Sequence, residues 1–436
     1  MKLFIDTGST IGRIKPMNAV NNGPVYTKNA DQNSTNLPAY RDAHIPFART
    51  HDASIYYSYG GEHTVDVANI FTDFDADPDD PASYDFELTD VYMENIGLAG
   101  TEVFFRLGNK IEHWQKKYGI IPPKDFKKWA VVCEHIIRHM NEGWADGHNF
   151  GIRYWEIWNE PDLYGKCWLG TPEQFYELFS ITARHLKSCF PELKIGGPAV
   201  CGFNEGWLRG FFDKMRSDNV PIDFYSWHIY ARDVSVVVNE AKRHRAILDE
   251  YGYTEAETIL DEWNYVRGWS GDDWMYSIDT INNIKGAAFT AAVMTACQSA
   301  PVDMLMYYDA RTNSSMNGLF SLYNYRTQKG YYPIKTWGEL LLMGGECAVK
   351  CDIPGIYATA ARDDDGRAAA MITYYTDDDN ALPITFTVEI AGGGIGELVR
   401  EYLLDGENDL TPVRLIAADN GRFTLTLKPN TVIVLK

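Results

Sequence analysis

The chain has 436 residues, 45% hydrophobic and 23% charged, a globular balance that excludes disordered, collagen-like and coiled-coil classes. Its 40 Lys and Arg against 60 Asp and Glu leave a net charge of −20, which repels phosphate backbones and anionic lipid and excludes nucleic acid and membrane surfaces as partners. Aromatic content is 14%, more ring surface than a core needs, and rings are what apolar sugar faces stack on. The opening MKLFIDTGST lacks the basic and apolar regions of a signal peptide, and no apolar run reaches the length of a membrane span, so a cytoplasmic protein is expected. Seven scattered cysteines with no CxxC pair read as free, mostly buried thiols.

Lys2 to Asp6 reads as a leading strand. From Pro16 to Met343, short β-branched or aromatic runs alternate with longer amphipathic stretches, the signature of βα units around a parallel sheet. Eight strands are predicted: Met17 to Val20, His44 to Arg49, Glu102 to Leu107, Ile152 to Trp158, Leu193 to Gly196, Ile222 to Trp227, Thr258 to Asp261 and Val302 to Tyr307. Several end in polar or ionisable residues, as expected where C-terminal strand ends form one active-site face. Between Lys124 and Asn141, Trp129, Val132, Cys133, Ile136, Ile137 and Met140 recur at helical spacing. Thr171, Pro172 and Gln174 predict the capped start of the next helix, whose buried face is Phe175, Leu178, Phe179, Ala183 and Leu186. Eight such units fit a (β/α)8 TIM barrel over residues 16–343; the rival doubly wound sheet lacks a GxGxxG after its first strand. After Gly344 the texture changes. Ile356 to Thr359, Ala368 to Tyr375, Ile384 to Ile390, Leu398 to Leu404 and Phe423 to Leu427 predict a small β-sandwich of residues 344–436, joined by 1–15.

Two segments carry the chemistry. In Trp155-Glu156-Ile157-Trp158-Asn159-Glu160-Pro161-Asp162, strand alternation predicts Tyr154, Glu156 and Trp158 on one face, with Asn159 and Glu160 where the strand opens into its loop. In Thr258-Ile259-Leu260-Asp261-Glu262-Trp263-Asn264, another apolar strand ends in carboxylates. In a barrel these ends ring one pocket, and two carboxyls roughly 5 to 5.5 Å apart suit double-displacement glycoside hydrolysis. His135 and His139 lie at i and i+4 on a helix, but match neither HExxH nor HxxEH and show no third ligand. Asp73, Asp75, Asp77 and Asp79 mimic a calcium loop, yet Pro78 stands where glycine is needed and Tyr84 where glutamate is. Neither a metal nor a cofactor is expected, and there is no GxSxG or Walker loop.

These segments resemble clan A retaining glycoside hydrolases, most closely glycoside hydrolase family 39, which includes β-xylosidases and α-L-iduronidases. Five stretches carry the resemblance: Arg49-Thr50-His51-Asp52, Trp158-Asn159-Glu160-Pro161, Ile195-Gly196-Gly197-Pro198-Ala199, Asp223 to Tyr230, and Asp261-Glu262-Trp263-Asn264. The resemblance implies a TIM barrel with an appended β-sandwich. It makes Glu160 the general acid/base and Glu262 the nucleophile, with Asn159 holding the sugar 2-hydroxyl and Arg49 donating to the nucleophile. His51, His228 and Tyr230 become candidate donors around nucleophile and sugar. Trp114, Trp168, Trp263, Trp269, Trp274 and Tyr308 become candidate stacking platforms, Trp263 and Tyr308 foremost. The last segment is also similar to family 51 α-L-arabinofuranosidases. Tyr307 to Ser314 lacks the acidic pair of the β-xylosidase pattern, and Arg106 stands where a glutamate is common. Both departures leave the glycone open between xyloside, arabinoside, galactoside and glucoside.

The reading is therefore a retaining glycosidase acting on a glycoside or oligosaccharide, exo-acting because a cytoplasmic enzyme meets small imported sugars. The reading from another class is a catalytically silent carbohydrate-binding barrel, which would normally have lost a carboxylate. The β-sandwich is expected either to buttress the barrel or to mediate homo-oligomerisation.

Overall fold

The structure, a computed structural model, describes residues 1–26, 35–51, 64–322, 324–396 and 398–436; Asp52 lies outside them. A first strand, β1 (Lys2–Arg13), precedes eight parallel strands that close into a barrel in chain order. These are β2 (Ala19–Asn21), β3 (Phe47–Arg49), β4 (Glu102–Leu107), β5 (Tyr154–Ile157), β6 (Lys194–Val200), β7 (Phe224–Ala231), β8 (Glu257–Tyr265) and β9 (Met304–Tyr307). All eight predicted barrel strands are present. The helix Phe126–Glu142 buries the predicted stripe and is capped by Asp125, and the helix Pro172–Cys189 starts with the expected Thr171/Gln174 capping box. Among the described residues no helix is long and apolar enough to cross a membrane.

Strand period decides what fills the barrel. Phe47, Phe104, Tyr154, Phe224, Ile259 and Met306 form an apolar inner layer. Two residues further along β3, β4, β5, β7 and β8 the inward positions are Arg49, Arg106, Glu156, Ser226 and Asp261, all fully buried. A polar layer thus sits on the apolar one, towards the C-terminal strand ends where barrel active sites form. Close approach demands glycine where β6 meets β7: a Cβ on Gly196 would lie 2.1 Å from the Phe224 carbonyl oxygen.

The chain after the barrel adds β10 (Gly345–Cys351), β11 (Ile356–Arg362), β12 (Ala368–Tyr374), β13 (Ile384–Ala391), β14 (Leu398–Leu404), β15 (Asp409–Ala417), β16 (Arg422–Leu427) and β17 (Thr431–Leu435). With β1 these form one continuous nine-stranded sheet, ordered β15-β14-β17-β12-β11-β10-β1-β13-β16. Leu3, Ile5, Ile372, Phe386, Leu425 and Ile433 share its separate core. β1 pairs antiparallel with β10 and parallel with β13, so the N-terminal strand lies inside this sheet rather than at an edge. The cysteines are all free; Cys133, Cys167, Cys297 and Cys347 are buried, and the other three are half-buried.

Candidate active site

Irregularities at two strand ends aim the candidate carboxylates. Along β7 and β8, Trp227 pairs with Leu260 but His228 pairs with Glu262, so β8 carries one extra residue at Asp261. Such a bulge resets strand alternation. Asp261 and Glu262 both reach polar partners inside the barrel, while Trp263 turns outward, its ring 6.3 Å from Phe289 and 5.6 Å from Tyr307. This corrects the expectation that Trp263 contacts sugar: it is fully buried behind the barrel wall. At the end of β5, Trp158 has φ 76° and Glu160 φ 47°, left-handed conformations that non-glycine residues adopt only when their surroundings hold them. The turn at Trp158 sends its indole outward against Trp129 and Trp168, not beside Glu156 as alternation predicts. The Glu160 backbone N–H then donates to the Ala199 carbonyl at 2.9 Å.

Glu160 and Glu262 consequently face each other. One oxygen of each lies within 4.8 Å of the other, with a His228 ring nitrogen in the same cluster. His228 Nδ1 is 2.8 Å from Glu160 Oε1 and 3.5 Å from Glu262 Oε2. Glu262 Oε1 accepts from Arg49 Nη1 at 2.9 Å and lies 3.1 Å from His51 Nε2, while Oε2 accepts from the Tyr230 hydroxyl at 2.8 Å. Burial alone would raise the Glu262 pKa, but His228, His51 and Arg49 outweigh it and hold the carboxyl well below its ordinary value. Tyr230 is shifted upward by burial and then by Glu262, so its phenol stays a donor.

Arg49 sits at the centre of the polar layer. Nε donates to Glu156 Oε2 at 2.7 Å and lies 3.1 Å from Asp261 Oδ2, and Nη2 donates to Asn159 Oδ1 at 2.7 Å. Nη1, besides Glu262, donates to Asn21 Oδ1 at 3.0 Å. That last pair of contacts ties the guanidinium to β2 and β8, and the Nη2 contact fixes which end of the Asn159 amide faces it. One guanidinium is balanced against three buried carboxyls, and the imbalance falls on Asp261. Burial, then the neighbouring Glu156, push its pKa well above the ordinary value. Glu156 shifts down despite burial, held by Arg49, Asp261 and Ser226, whose hydroxyl donates to Glu156 Oε1 at 2.6 Å.

Sequence reasoning missed Glu156, Asp261, Ser226 and Cys167 as parts of this site. A glutamate in mid-strand between aromatics was the available signal for Glu156. Cys167 Sγ lies 3.5 Å from Glu160 Oε2, and burial keeps the thiol protonated. Arg106 also acts here: Nη2 donates to the His51 carbonyl at 2.7 Å and to Asp66 Oδ1 at 2.5 Å, fixing the backbone that presents His51.

The predicted aromatic walls divide. The Tyr308 ring lies 5.4 Å from His51 and 6.3 Å from Tyr230, at the site. Trp269 is 62% exposed, meets Tyr230 edge-on at 5.0 Å and stacks on Trp274 at 5.5 Å, which makes a ring surface beside Tyr230 open to solvent. Trp168, in contrast, packs beneath its loop on Phe175, and Trp114 is exposed. His135 bonds the Val131 carbonyl of its own helix. The Asp73–Asp79 loop is built from Asx turns, Asp73 accepting from the Asp75 N–H and Asp77 from the Asp79 N–H, with Asp75 paired to Lys124.

The chain is similar to known proteins in sequence and in fold. A β-xylosidase from Geobacillus stearothermophilus is 28% identical over 219 residues, 46% of this chain and 41% of that protein. The matched stretches span less than half the length of such curated relatives. The fold overlays a glucosidase from Croceicoccus marinus with TM-score 0.81 at 24% identity, covering 100% of this chain and 98% of that one. It overlays a family 51 α-L-arabinofuranosidase from Bifidobacterium longum with TM-score 0.69 at 15% identity, covering 99% of each. The family model for glycosyl hydrolases family 39 matches residues 5–308, and the chain belongs to that family.

Proposed function

We propose that the protein is a retaining, exo-acting glycoside hydrolase of β-xylosidase type, with Glu160 as acid/base and Glu262 as nucleophile. The observation that carries this reading is the approach of a carboxyl oxygen of each within 4.8 Å of the other, which matches the close pair of a retaining enzyme better than the roughly 6.5–9.5 Å of an inverting one. Their surroundings differ in the sense the two-step reaction needs. Arg49, His51 and Tyr230 keep Glu262 ionised for attack on the anomeric carbon. Among the described residues, the side-chain partners of the Glu160 carboxyl are a histidine and a thiol. It delivers its proton to the departing oxygen, then takes one from the water that hydrolyses the glycosyl–enzyme ester. Asn159, oriented by Arg49, is placed to hold the 2-hydroxyl.

Aryl glycosides test the assignment. Glu160→Ala should glycosylate at near wild-type rates from a dinitrophenyl leaving group, which needs no proton, yet lose roughly 10³-fold on a methyl or alkyl glycoside. Equal losses on both would remove Glu160 from the role. The product formed first, read by proton NMR, should keep the substrate's anomeric configuration; inversion would reject the double displacement. A panel of β-xyloside, β-glucoside, β-galactoside and α-L-arabinofuranoside, assayed with wild type, names the glycone.

The environment of Glu262 also sets a pH dependence. Its pKa is depressed, so it stays ionised through the acid range and the acid limb of kcat/KM lies low. His51→Asn removes one of the groups that favour the carboxylate. The Glu262 pKa then rises, and the acid limb should move to higher pH while the alkaline limb stays. An unmoved acid limb would show that His51 does not hold the carboxylate.

A further inference from the structure

We propose that Asp90, His139 and His148 form a binding site for a divalent transition-metal ion of the zinc class, separate from the catalytic glutamates and tying two helices and a loop together. Asp90 lies near the start of the helix Glu87–Leu98, His139 in the last turn of the helix Phe126–Glu142, and His148 in the loop that leads to β5. Their donor atoms all lie within 4.8 Å of one another. His139 Nε2 is 2.9 Å from Asp90 Oδ1, and His148 Nε2 is 3.3 Å from Asp90 Oδ2. Zinc bonds to imidazole nitrogen and carboxylate oxygen are about 2.0–2.2 Å, which in a tetrahedron sets ligand atoms roughly 3.3 Å apart. The observed separations fit an ion with little movement, and a fourth position is left for water.

The ring orientation points the same way. His139 Nδ1 lies 2.9 Å from the Trp144 carbonyl oxygen. A carbonyl only accepts, so Nδ1 carries the proton and Nε2 is the atom turned to Asp90. Anchoring Nδ1 to a backbone carbonyl while the second ring nitrogen faces a carboxylate is the geometry that metal-bound histidines use. The rings are held rather than free. Phe86 stacks on His139 at 3.5 Å and Phe150 on His148 at 4.5 Å. The loop is pinned to the helix end by the His148 N–H donating to the His139 carbonyl at 2.7 Å and the Gly143 N–H to the His148 carbonyl at 2.9 Å. A Cβ on Gly147 would meet the His139 carbonyl oxygen at 2.2 Å, so this close approach requires glycine. Sequence spacing pairs His139 with His135; the fold pairs it with residues 49 positions before and nine after.

Among the described residues, two other clusters bring metal-ligating atoms together. Glu134, His185 and Cys189 do so, but Arg138 already donates to the Glu134 carboxylate at 2.8 Å. Glu160, His228 and Glu262 are the catalytic cluster. Both serve as controls. The test is zinc titration of the chelator-treated, full-length protein by calorimetry, with metal content measured after dialysis and thermal midpoints recorded with and without zinc. One zinc per chain is expected, with a higher midpoint in its presence. His148→Ala, a partly exposed position, and Asp90→Asn should each weaken binding about tenfold or more and abolish the rise in midpoint, while Cys189→Ser and Glu262→Gln keep both. Absence of zinc binding in the wild type, binding unchanged in folded His148→Ala and Asp90→Asn, or binding lost in Cys189→Ser or Glu262→Gln, would overturn the proposal.

Discussion

Glu262→Ala is expected to lower kcat by roughly 10⁵-fold on every leaving group, because among the described residues no second carboxylate is placed to attack the anomeric carbon instead. Glu160 is turned towards His228 and Cys167. Asp261, next in the chain, is buried against Arg49, and burial and Glu156 raise its pKa, which disfavours the carboxylate a nucleophile needs. The loss should be indifferent to leaving-group acidity, unlike the loss in Glu160→Ala, and the contrast between the two variants separates the roles. The removed side chain leaves Arg49, His51 and Tyr230 around a space that suits a small anion. Azide with an activated aryl glycoside should therefore partly restore turnover and give a glycosyl azide of opposite anomeric configuration. Substantial activity in Glu262→Ala without azide would sink the assignment. The fold should survive, since Arg49 keeps Glu156, Asn21 and Asn159 as partners.

The barrel was legible because each strand is a short apolar run between a helix end and a polar turn, and that texture depends only on local sequence. The positions of Glu160 and Glu262 were legible for the same reason, as carboxylates at strand ends. Their aim was not. Alternation puts Glu262 opposite in sense to Asp261, and only the extra residue in β8, visible as the change of register against β7, brings both inward and turns Trp263 out. The left-handed turn at Trp158 likewise reverses an indole that alternation places inside. The Arg49 network joins β3, β5 and β8, three strands far apart in sequence, so its members could be seen singly but not as one cluster. In the appended sheet, β15 was missed because most of its residues are exposed and Pro412 interrupts it, as an edge strand allows.

Arg49→Met is expected to cost about 3–5 kcal/mol of stability at neutral pH, the range found when one partner of a buried ion pair is removed. The guanidinium is fully buried and is the counter-charge for Glu156 and Glu262, both of which it helps hold below their ordinary value of 4.5. In the wild type these depressed carboxyls contribute stability that is present above 4.5 and lost as pH falls towards their folded values. In the variant both pKa values rise; Glu262 keeps His228 and His51, whereas Glu156 loses the main group opposing its burial and its carboxylate instead destabilises the fold as pH climbs through its new value. The stability deficit should therefore be small in acid and grow with pH, which urea unfolding at a series of pH values measures directly. Arg49→Lys keeps the charge but not the planar fork that reaches five side chains on β2, β5, β8 and the loop after β5. It should recover much of the stability, while kcat/KM stays about a hundredfold below wild type because Asn159 and Glu262 are no longer held by one rigid group. A deficit in Arg49→Met that does not change with pH would mean that the buried carboxylates are not what the guanidinium stabilises.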